Sequence, residues 1–218
     1  MTDPDGLRMR DHAYSNFTEK LLARDIRPGQ ILSQRELVKL TGMPLGAIRE
    51  MIPRLEADGL IKTVPKRGLQ ILSIDLDLVR NAFQLRGIIE AEAISKFCKS
   101  ATTEEIEQLI VDHEQIRDVA GATVSPEVLR TAQQVDWAFH DRIIDAMENS
   151  IISDIHRINA IKIRLIRNTD TRMLPELVVP VLTEHLAILN ALAQRDSLGA
   201  VKAIHSHINS AKRRALGM

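Results

Sequence analysis

The chain has 218 residues, of which 44% are hydrophobic and 27% charged, which is ordinary for a globular protein with one large domain or two small ones. A single cysteine, Cys98, excludes an internal disulfide, and the lack of a long apolar run or an apolar secretion segment leads us to expect a cytoplasmic protein with no membrane partner. The formal net charge is zero, but the charges are unevenly distributed. Residues 1–74 carry 12 basic against 9 acidic side chains, which favours a nucleic-acid contact in this part.

The first predicted elements are helices. Apolar side chains recur on one side of residues 7–24, which predicts a first helix, and residues 26–32 form a tight connector. Ser33 and Glu36 then have the spacing of a capping box, in which each side chain binds a backbone N–H group at a helix start. This second helix is expected to end at Gly42, because glycine tolerates the left-handed conformation of a helix end.

A third helix and a small hairpin follow. The helix is expected from near Pro44 to Gly59. Residues 60–64 and 69–72 are short β-prone runs, and the Pro-Lys-Arg-Gly sequence between them has turn chemistry and two positive charges. Two strands with a basic tip after a helix-turn-helix predict a winged helix, whose recognition helix enters the major groove of DNA while the hairpin reaches toward phosphates or the minor groove.

The predicted winged helix resembles that of the GntR family of bacterial transcription regulators. The matching residues are Arg35-Glu36-Leu37, Gly42, Ile48-Arg49-Glu50, Arg54-Leu55-Glu56, Asp58-Gly59-Leu60 and Arg67-Gly68. The resemblance implies DNA contacts or wing positions for Arg35, Arg49, Arg54, Lys66, Arg67 and Gly68, with a solvated helix face as the alternative for each arginine. The sequence departs from the family at Pro44, Leu45, Gly46 and Ala47, where Ser-Arg-Thr-Pro is usual, and carries Pro53 inside the third helix. We therefore expect an operator that differs from those of close relatives.

From Asp75 onward the pattern is helical throughout. We predict helices over residues 75–99, 103–120, 126–148, 149–168, 180–195 and 197–215, with a loop at 169–180. Six helices with short connections predict an antiparallel bundle. The expected fold is therefore mainly α, with a winged helix-turn-helix DNA-binding domain in residues 1–73 and an all-helical domain for metal binding, effector binding and dimerisation in residues 74–218.

Four side chains of the predicted bundle could hold a metal ion. Asp136 and His140 are four residues apart, so they share one face of a helix, and His185 and His207 lie on the last two helices. Such oxygen and nitrogen donors suit Zn²⁺, Ni²⁺, Mn²⁺ or Fe²⁺. The spacing also fits a buried, hydrogen-bonded Asp–His pair with surface histidines, and the apolar stripe of the last helix does not choose between His205 and His207.

The second half of the chain resembles the FCD effector domain of the FadR branch of GntR regulators, in its six-helix VanR type. The matching positions are Asp136 with Phe139-His140, Glu184-His185, and Ala200 through Ile204 to His207-Ile208. The resemblance implies that Asp136, His140, His185 and His207 are metal ligands, and it favours His207 over His205. The remaining histidines, His12, His113 and His156, are expected to be solvated or locally bonded.

The resemblance also implies an effector site beside the metal. Arg86 matches an arginine that the family often turns into this cavity, where it would bind a small organic acid. A surface salt bridge between Arg86 and Glu90, four residues later, is the alternative. Arg164 and Arg167 are lesser candidates for the same role.

We therefore expect a DNA-binding transcription regulator, with a repressor as the favoured form, whose operator affinity is controlled by a small carboxylate at or near a divalent metal. The operator is expected to be palindromic and the protein a homodimer, because one winged helix covers only a half-site. Two alternatives stay open: a structural metal site without an effector, and a metal-dependent enzyme joined to a DNA-binding domain. The sequence shows no nucleophile motif that supports an enzyme.

Overall fold

The structure is a computed structural model that describes residues 4–167 and 174–218, and this part of the chain contains nine helices and a three-stranded sheet. The chain divides into two compact units, Met1–Asp75 and Leu76–Met218. The prediction of a mainly helical protein, with an N-terminal winged helix and a C-terminal helical bundle, is confirmed.

The first unit is a winged helix with three helices. Its elements are α1 (Pro4–Leu22), β1 (Ile31–Leu32), α2 (Gln34–Thr41), α3 (Leu45–Ala57), β2 (Ile61–Val64) and β3 (Gly68–Ile71). The strands are antiparallel in the order β1-β3-β2. Phe17, Leu37 and Leu55, one from each helix, are fully buried and form the centre of its core.

Local chemistry sets the ends of α2 and the course of α3. The capping box is present, because Ser33 Oγ accepts a hydrogen bond from the Glu36 backbone N–H at 3.2 Å and Glu36 Oε2 accepts one from the Ser33 N–H at 2.7 Å. Gly42 ends α2 with φ of 69°. Pro53 lies inside α3 on its exposed face, where water can replace the hydrogen bond that a proline cannot donate.

Strand β1 was not predicted. Residues 26–32 are predicted to be a tight connector, whereas Ile31 and Leu32 pair with Gln70 and Leu69 of β3. A strand of two residues is too short to show the alternation by which strands are found in a sequence. Gly68, at the start of β3, has φ of +118°, and a β-carbon there would lie 2.6 Å from the Leu32 carbonyl oxygen, so only glycine fits.

The second unit is the predicted six-helix bundle. Its helices are α4 (Leu76–Ser100), α5 (Thr103–Ala122), α6 (Pro126–Asp145), α7 (Ser150–Arg167), α8 (Pro175–Ala193) and α9 (Ser197–Ala215). The most extensive helix contacts are those of α4 with α9, α5 with α8, and α8 with α9, while α6 packs on α4, α5 and α8. This packing brings the predicted metal ligands of α6, α8 and α9 together.

Helix α8 begins earlier than predicted. It begins at Pro175 instead of residue 180, because Pro175 takes the first helical position, where its missing N–H group costs little. Pro180 lies on the exposed face. Residue 168 of the predicted helix 149–168 and residues 169–173 of the predicted loop lie outside the described part of the chain. Within that part, α8 alone is long and apolar enough by composition to cross a membrane, but it packs against α5 and α9, as a core helix does.

The substitution Gly68→Ala is expected to destabilise the protein. The new β-carbon must push β1 away and sit at a strained backbone angle, which costs about 1–3 kcal/mol. Urea denaturation measures this loss. The matched control is Gly121→Ala in α5, where a β-carbon meets open space, and no loss is expected there. Equal stability of the two variants would contradict the role of Gly68.

Candidate functional site

The winged helix presents four of the six predicted DNA-contacting residues to solvent. Arg35 on α2 and Arg49 on α3 are exposed, and Arg49 Nε donates to Gln34 Oε1 at 3.2 Å, which ties the two helices at this surface. Lys66 and Arg67 are exposed in the turn between β2 and β3. These basic side chains on α2, on α3 and in the turn of the hairpin are accessible to a partner, and their contacts with DNA stay predictions.

The other two predicted residues have structural roles. Arg54 Nη1 donates to Asp11 Oδ1 at 2.9 Å, and its guanidinium lies 4.2 Å from the centre of the Tyr14 ring, so it joins α3 to α1. Tyr14 in turn donates its hydroxyl to Asp58 Oδ2 at 2.6 Å. Gly68 is required where β3 passes β1. Contacts of Arg54 and Gly68 with DNA stay predictions.

The four predicted metal ligands form one buried cluster, which we call the donor cluster: Asp136 and His140 of α6, His185 of α8 and His207 of α9. One ligand atom from each lies within 4.8 Å of the others. Asp136 Oδ1 is 3.4 Å from His185 Nε2 and 4.0 Å from His140 Nε2, and the Nε2 atoms of His185 and His207 are 3.3 Å apart. Donor atoms that share one metal ion lie about 3–4 Å apart, so the cluster has the size of a coordination shell.

Two donor atoms of the cluster lack hydrogen bonds. Asp136 Oδ1 and His140 Nε2 are fully buried, and neither has a hydrogen-bond partner among the described residues. A buried polar atom without a partner costs about 1–3 kcal/mol, so such atoms are rare unless a site uses them. Both atoms point toward the centre of the cluster, where a cation would satisfy them.

A second set of residues holds each imidazole ring of the donor cluster. Nδ1 of His140 lies 2.8 Å from Glu90 Oε2, and Nδ1 of His207 lies 2.8 Å from Glu184 Oε2. A carboxylate only accepts hydrogen bonds, so both Nδ1 atoms carry the proton and both Nε2 lone pairs face the cluster. Metal-binding histidines in proteins are held in this way.

His113 plays the same part for His185. His113 Nδ1 is 2.6 Å from the Leu109 carbonyl oxygen, which can only accept, so the Nδ1 carries the proton and the Nε2 of the neutral ring is an acceptor. That Nε2 lies 3.2 Å from His185 Nδ1, which must therefore donate, and the His185 Nε2 lone pair is left for the cluster. Three imidazole lone pairs and one carboxylate oxygen thus converge.

The histidines outside the cluster only partly match their predictions. His113 is buried and locally bonded to Leu109, the second of its two predicted forms, but it also contacts His185 of the cluster, which was not predicted. His156 is bonded to Asp141 at 3.0 Å, and His12 is exposed, as expected. His205 is exposed while His207 is buried, so the structure places His207 in the cluster.

Burial and neighbouring charges fix the protonation of the cluster. Burial, with help from Arg86, lowers the pKa of His140 to about 4, and burial together with His207 lowers the pKa of His185 far below its usual range. Burial raises the pKa of Asp136, but Arg167 and the adjacent His185 outweigh it and bring that pKa well below its usual range. At neutral pH the site therefore has neutral imidazoles and an ionised carboxylate, the forms that bind metal.

A cavity adjoins the donor cluster through His140 and Glu90. Arg86 lines it and is buried, with its Nε donating to Glu90 Oε1 at 2.8 Å. The predicted pair with Glu90 therefore exists, but it lies in the cavity wall instead of at the surface. Binding of an acid by Arg86 stays a prediction. Arg164 and Arg167 also line the cavity, and Arg167 donates to Asp136 Oδ2. An arginine-rich space beside metal-type donors can hold a small anion.

Comparison with known proteins gives matches over both units. The family model of the FCD domain matches residues 81–210, and that of bacterial regulatory proteins, gntR family, matches residues 9–71. The chain is 24% identical over 200 residues to the "Probable HTH-type transcriptional regulator LgoR" of Escherichia coli K12, covering 90% of this chain and 64% of that protein. It is 25% identical over 184 residues to the Nta operon transcriptional regulator of Aminobacter aminovorans, covering 84% of this chain and 82% of that protein. Its fold is similar to that of Escherichia coli McbR/YncC, with a TM-score of 0.72 and 15% identity over 100% of this chain and 99% of that one.

The stability of the metal-stripped chain is expected to fall as the pH drops below neutral. The ordinary histidine pKa is 6.5, and that of folded His140 is about 4, so between these values the unfolded chain takes up a proton that the folded chain does not. Each histidine that stays neutral in the folded chain then lowers the free energy of unfolding by about 1.4 kcal/mol for each unit by which the pH falls. Urea denaturation with a chelator, from pH 7 to pH 5, measures the slope.

The variant His140→Gln removes one such group and should reduce this slope. The control His205→Gln changes an exposed histidine, so its slope should match that of the unchanged chain. A stability that stays level or rises between pH 7 and pH 5 would show that these imidazoles are not held neutral by burial.

Proposed function

Because the chain belongs to the FCD-containing GntR family of bacterial transcription regulators, we propose that a divalent metal and a small organic acid in its helical unit control its binding to operator DNA. The chain is a DNA-binding transcription regulator and not an enzyme. The observation that carries the proposal is the convergence of three imidazole Nε2 atoms and one carboxylate oxygen, buried beside an arginine-lined cavity.

The proposed metal ligands are the four residues of the donor cluster. Their nitrogen and oxygen atoms suit Zn²⁺, Ni²⁺, Mn²⁺ or Fe²⁺. Glu90, His113 and Glu184 would keep the rings directed at the metal, because each bonds the outer nitrogen of one ligand. A bound metal would supply a positive centre that attracts the oxygen atoms of an acid. The cavity that touches His140 favours this role over a purely structural metal.

The proposed effector is a small carboxylate held in the cavity. Arg86 is buried there, and its Nε is occupied by Glu90, so its terminal nitrogen atoms remain to bind the acid. Arg167 lies at the metal side, since it contacts Asp136. An acid that binds both a metal and a buried guanidinium gains charge-assisted bonds in a site that already excludes much of the water.

The proposed DNA contacts lie on α2, α3 and the wing. Arg35 and Arg49 would bind bases or phosphates, and Lys66 and Arg67 would bind the backbone beside the groove. Leu45 is 37% exposed and one turn before Arg49 on α3, so it can meet the methyl group of a thymine where an arginine is usual in the family. This placement supports an operator that differs from those of close relatives.

The working unit is proposed to be a cytoplasmic homodimer on a palindromic operator. One winged helix covers a half-site, and a two-fold dimer presents two of them at a fixed separation. The effector would favour one separation of the two winged helices over another, and so change operator affinity. A repressor that releases DNA in response to the acid is the simplest form of this scheme.

The variant His140→Ala is expected to weaken metal binding at least about tenfold, because it removes one ligand and the bond to Glu90. Isothermal titration with Ni²⁺ or Zn²⁺ measures the affinity, and operator binding by the metal-free protein should stay unchanged. The control His205→Ala changes an exposed histidine of α9 and should keep full affinity. Unaltered metal stoichiometry and affinity in His140→Ala would exclude the assigned ligand set.

The variant Arg49→Ala is expected to lose about 5- to 150-fold in affinity for the specific operator, since a base contact by arginine contributes about 1–3 kcal/mol. Its melting temperature should hardly change, because the side chain is exposed. Fluorescence anisotropy on a duplex selected from the promoter region of the chain's own gene measures the affinity. Arg130→Ala, an exposed arginine of α6, is the control, and operator affinity equal to that of Arg130→Ala would remove Arg49 from the interface.

A further inference from the structure

The cavity beside the donor cluster has three arginine side chains in its wall. Arg86 comes from α4, and Arg164 and Arg167 come from α7. Burial lowers the pKa of Arg164, and the nearby positive charges of Arg167 and Arg86 lower it further, against the effect of Asp141. Positive groups that share one partly buried space repel each other, so the space favours anions.

The charges around this cavity are balanced without a metal. In the described part of the chain, each arginine of the wall pairs with a carboxylate: Arg86 with Glu90 at 2.8 Å, Arg164 with Asp141 at 3.4 Å, and Arg167 with Asp136. Glu184 at the far side of the cluster is balanced by Arg214, at 2.9 Å. A divalent cation on the donor cluster therefore adds two positive charges that these residues do not neutralise. Unbalanced buried charge is costly, so a ligand with two negative charges fits best.

Arg164 provides a second positive end for such a ligand. Its guanidinium lies 4.2 Å from the centre of the Trp137 ring, which fixes its direction. Its partner Asp141 is exposed and shared, because Asp141 Oδ1 also binds His156 Nε2 at 3.0 Å. The pair of Arg164 and Asp141 is therefore accessible from outside, whereas the pair of Arg86 and Glu90 is buried.

Arg164 and Arg167 give the cavity two positive ends. They are three residues apart on α7, so both lie on the face of the helix that lines the cavity. Arg167 marks the metal end, because it contacts the ligand candidate Asp136, whereas Arg164 lies against Trp137. A molecule that binds at both ends therefore needs two anionic groups.

We propose that the effector is a short dicarboxylate. One carboxylate lies at the metal end with Arg86 and Arg167, and the other binds Arg164. This inference rests on the proposed function and specifies the charge of the acid.

The test compares matched acids on the full chain loaded with Ni²⁺. Succinate and butyrate both have four carbon atoms and differ by one carboxylate, and malonate and glutarate vary the length. At constant ionic strength, isothermal titration and thermal shift should show a dicarboxylate binding at least about tenfold more tightly than butyrate, as expected for one added charge-assisted contact.

The variant Arg164→Met tests the second positive end. Methionine keeps an apolar stem beside Trp137 and removes the charge, so succinate should bind no more tightly than butyrate while Ni²⁺ affinity is unchanged. The control Arg157→Met changes an exposed arginine of the same helix and should keep the preference for succinate. If Arg164→Met does not fold, the comparison of acids on the unchanged chain decides the question alone.

The outcomes separate this inference from the proposed function. Butyrate binding as tightly as all three dicarboxylates, or a preference for succinate that survives in folded Arg164→Met, overturns the dicarboxylate inference and leaves a carboxylate effector standing. A Ni²⁺-loaded chain that binds none of the acids overturns the effector role itself.

Discussion

The helical unit is organised by four buried donor atoms whose lone pairs point at one another. Three are imidazole Nε2 atoms and one is the Oδ1 of Asp136. Without a cation between them, Asp136 Oδ1 and His140 Nε2 lack hydrogen-bond partners among the described residues, which is costly where water does not reach. A divalent cation would turn the same geometry from a cost into a source of stability, because it binds the folded state and not the unfolded chain.

The surrounding residues serve to keep this geometry. Glu90, His113 and Glu184 fix the rings through their outer nitrogen atoms, and Arg167 holds the second oxygen of Asp136. All of these residues lie on packed helices and none on a loop, so the donor positions are held by the core. Glu90 also bonds Arg86 in the cavity wall, so one carboxylate links the donor cluster to the space proposed for the acid. An acid that binds there would act directly on a ligand's hydrogen-bond partner.

Local features of the fold could be predicted from the sequence, and long-range ones could not. The Ser33 capping box, the end of α2 at Gly42 and the shared face of Asp136 and His140 depend on residues within four positions of each other. The pairing of His113 with His185 joins residues 72 positions apart on two helices, and no spacing rule indicates it.

Other parts of the site could be predicted only from the family resemblance or depend on how the helices pack. The resemblance singled out His207 over His205, which the apolar pattern of α9 could not do, and the structure places His207 in the cluster. The pair of Arg86 with Glu90 could be predicted from their spacing. The burial of Arg86 could not, because it depends on how α4 packs against α6 and α7. Strand β1 was missed because two residues carry no periodic signal.

X-ray absorption spectroscopy of the metal-loaded full chain tests most directly whether these donor atoms share one metal ion. We expect a first coordination shell with about three imidazole nitrogen atoms and carboxylate oxygen, at roughly 2.0–2.2 Å from the metal. A shell with no imidazole scattering, or a chain that holds no metal after dialysis, would contradict it.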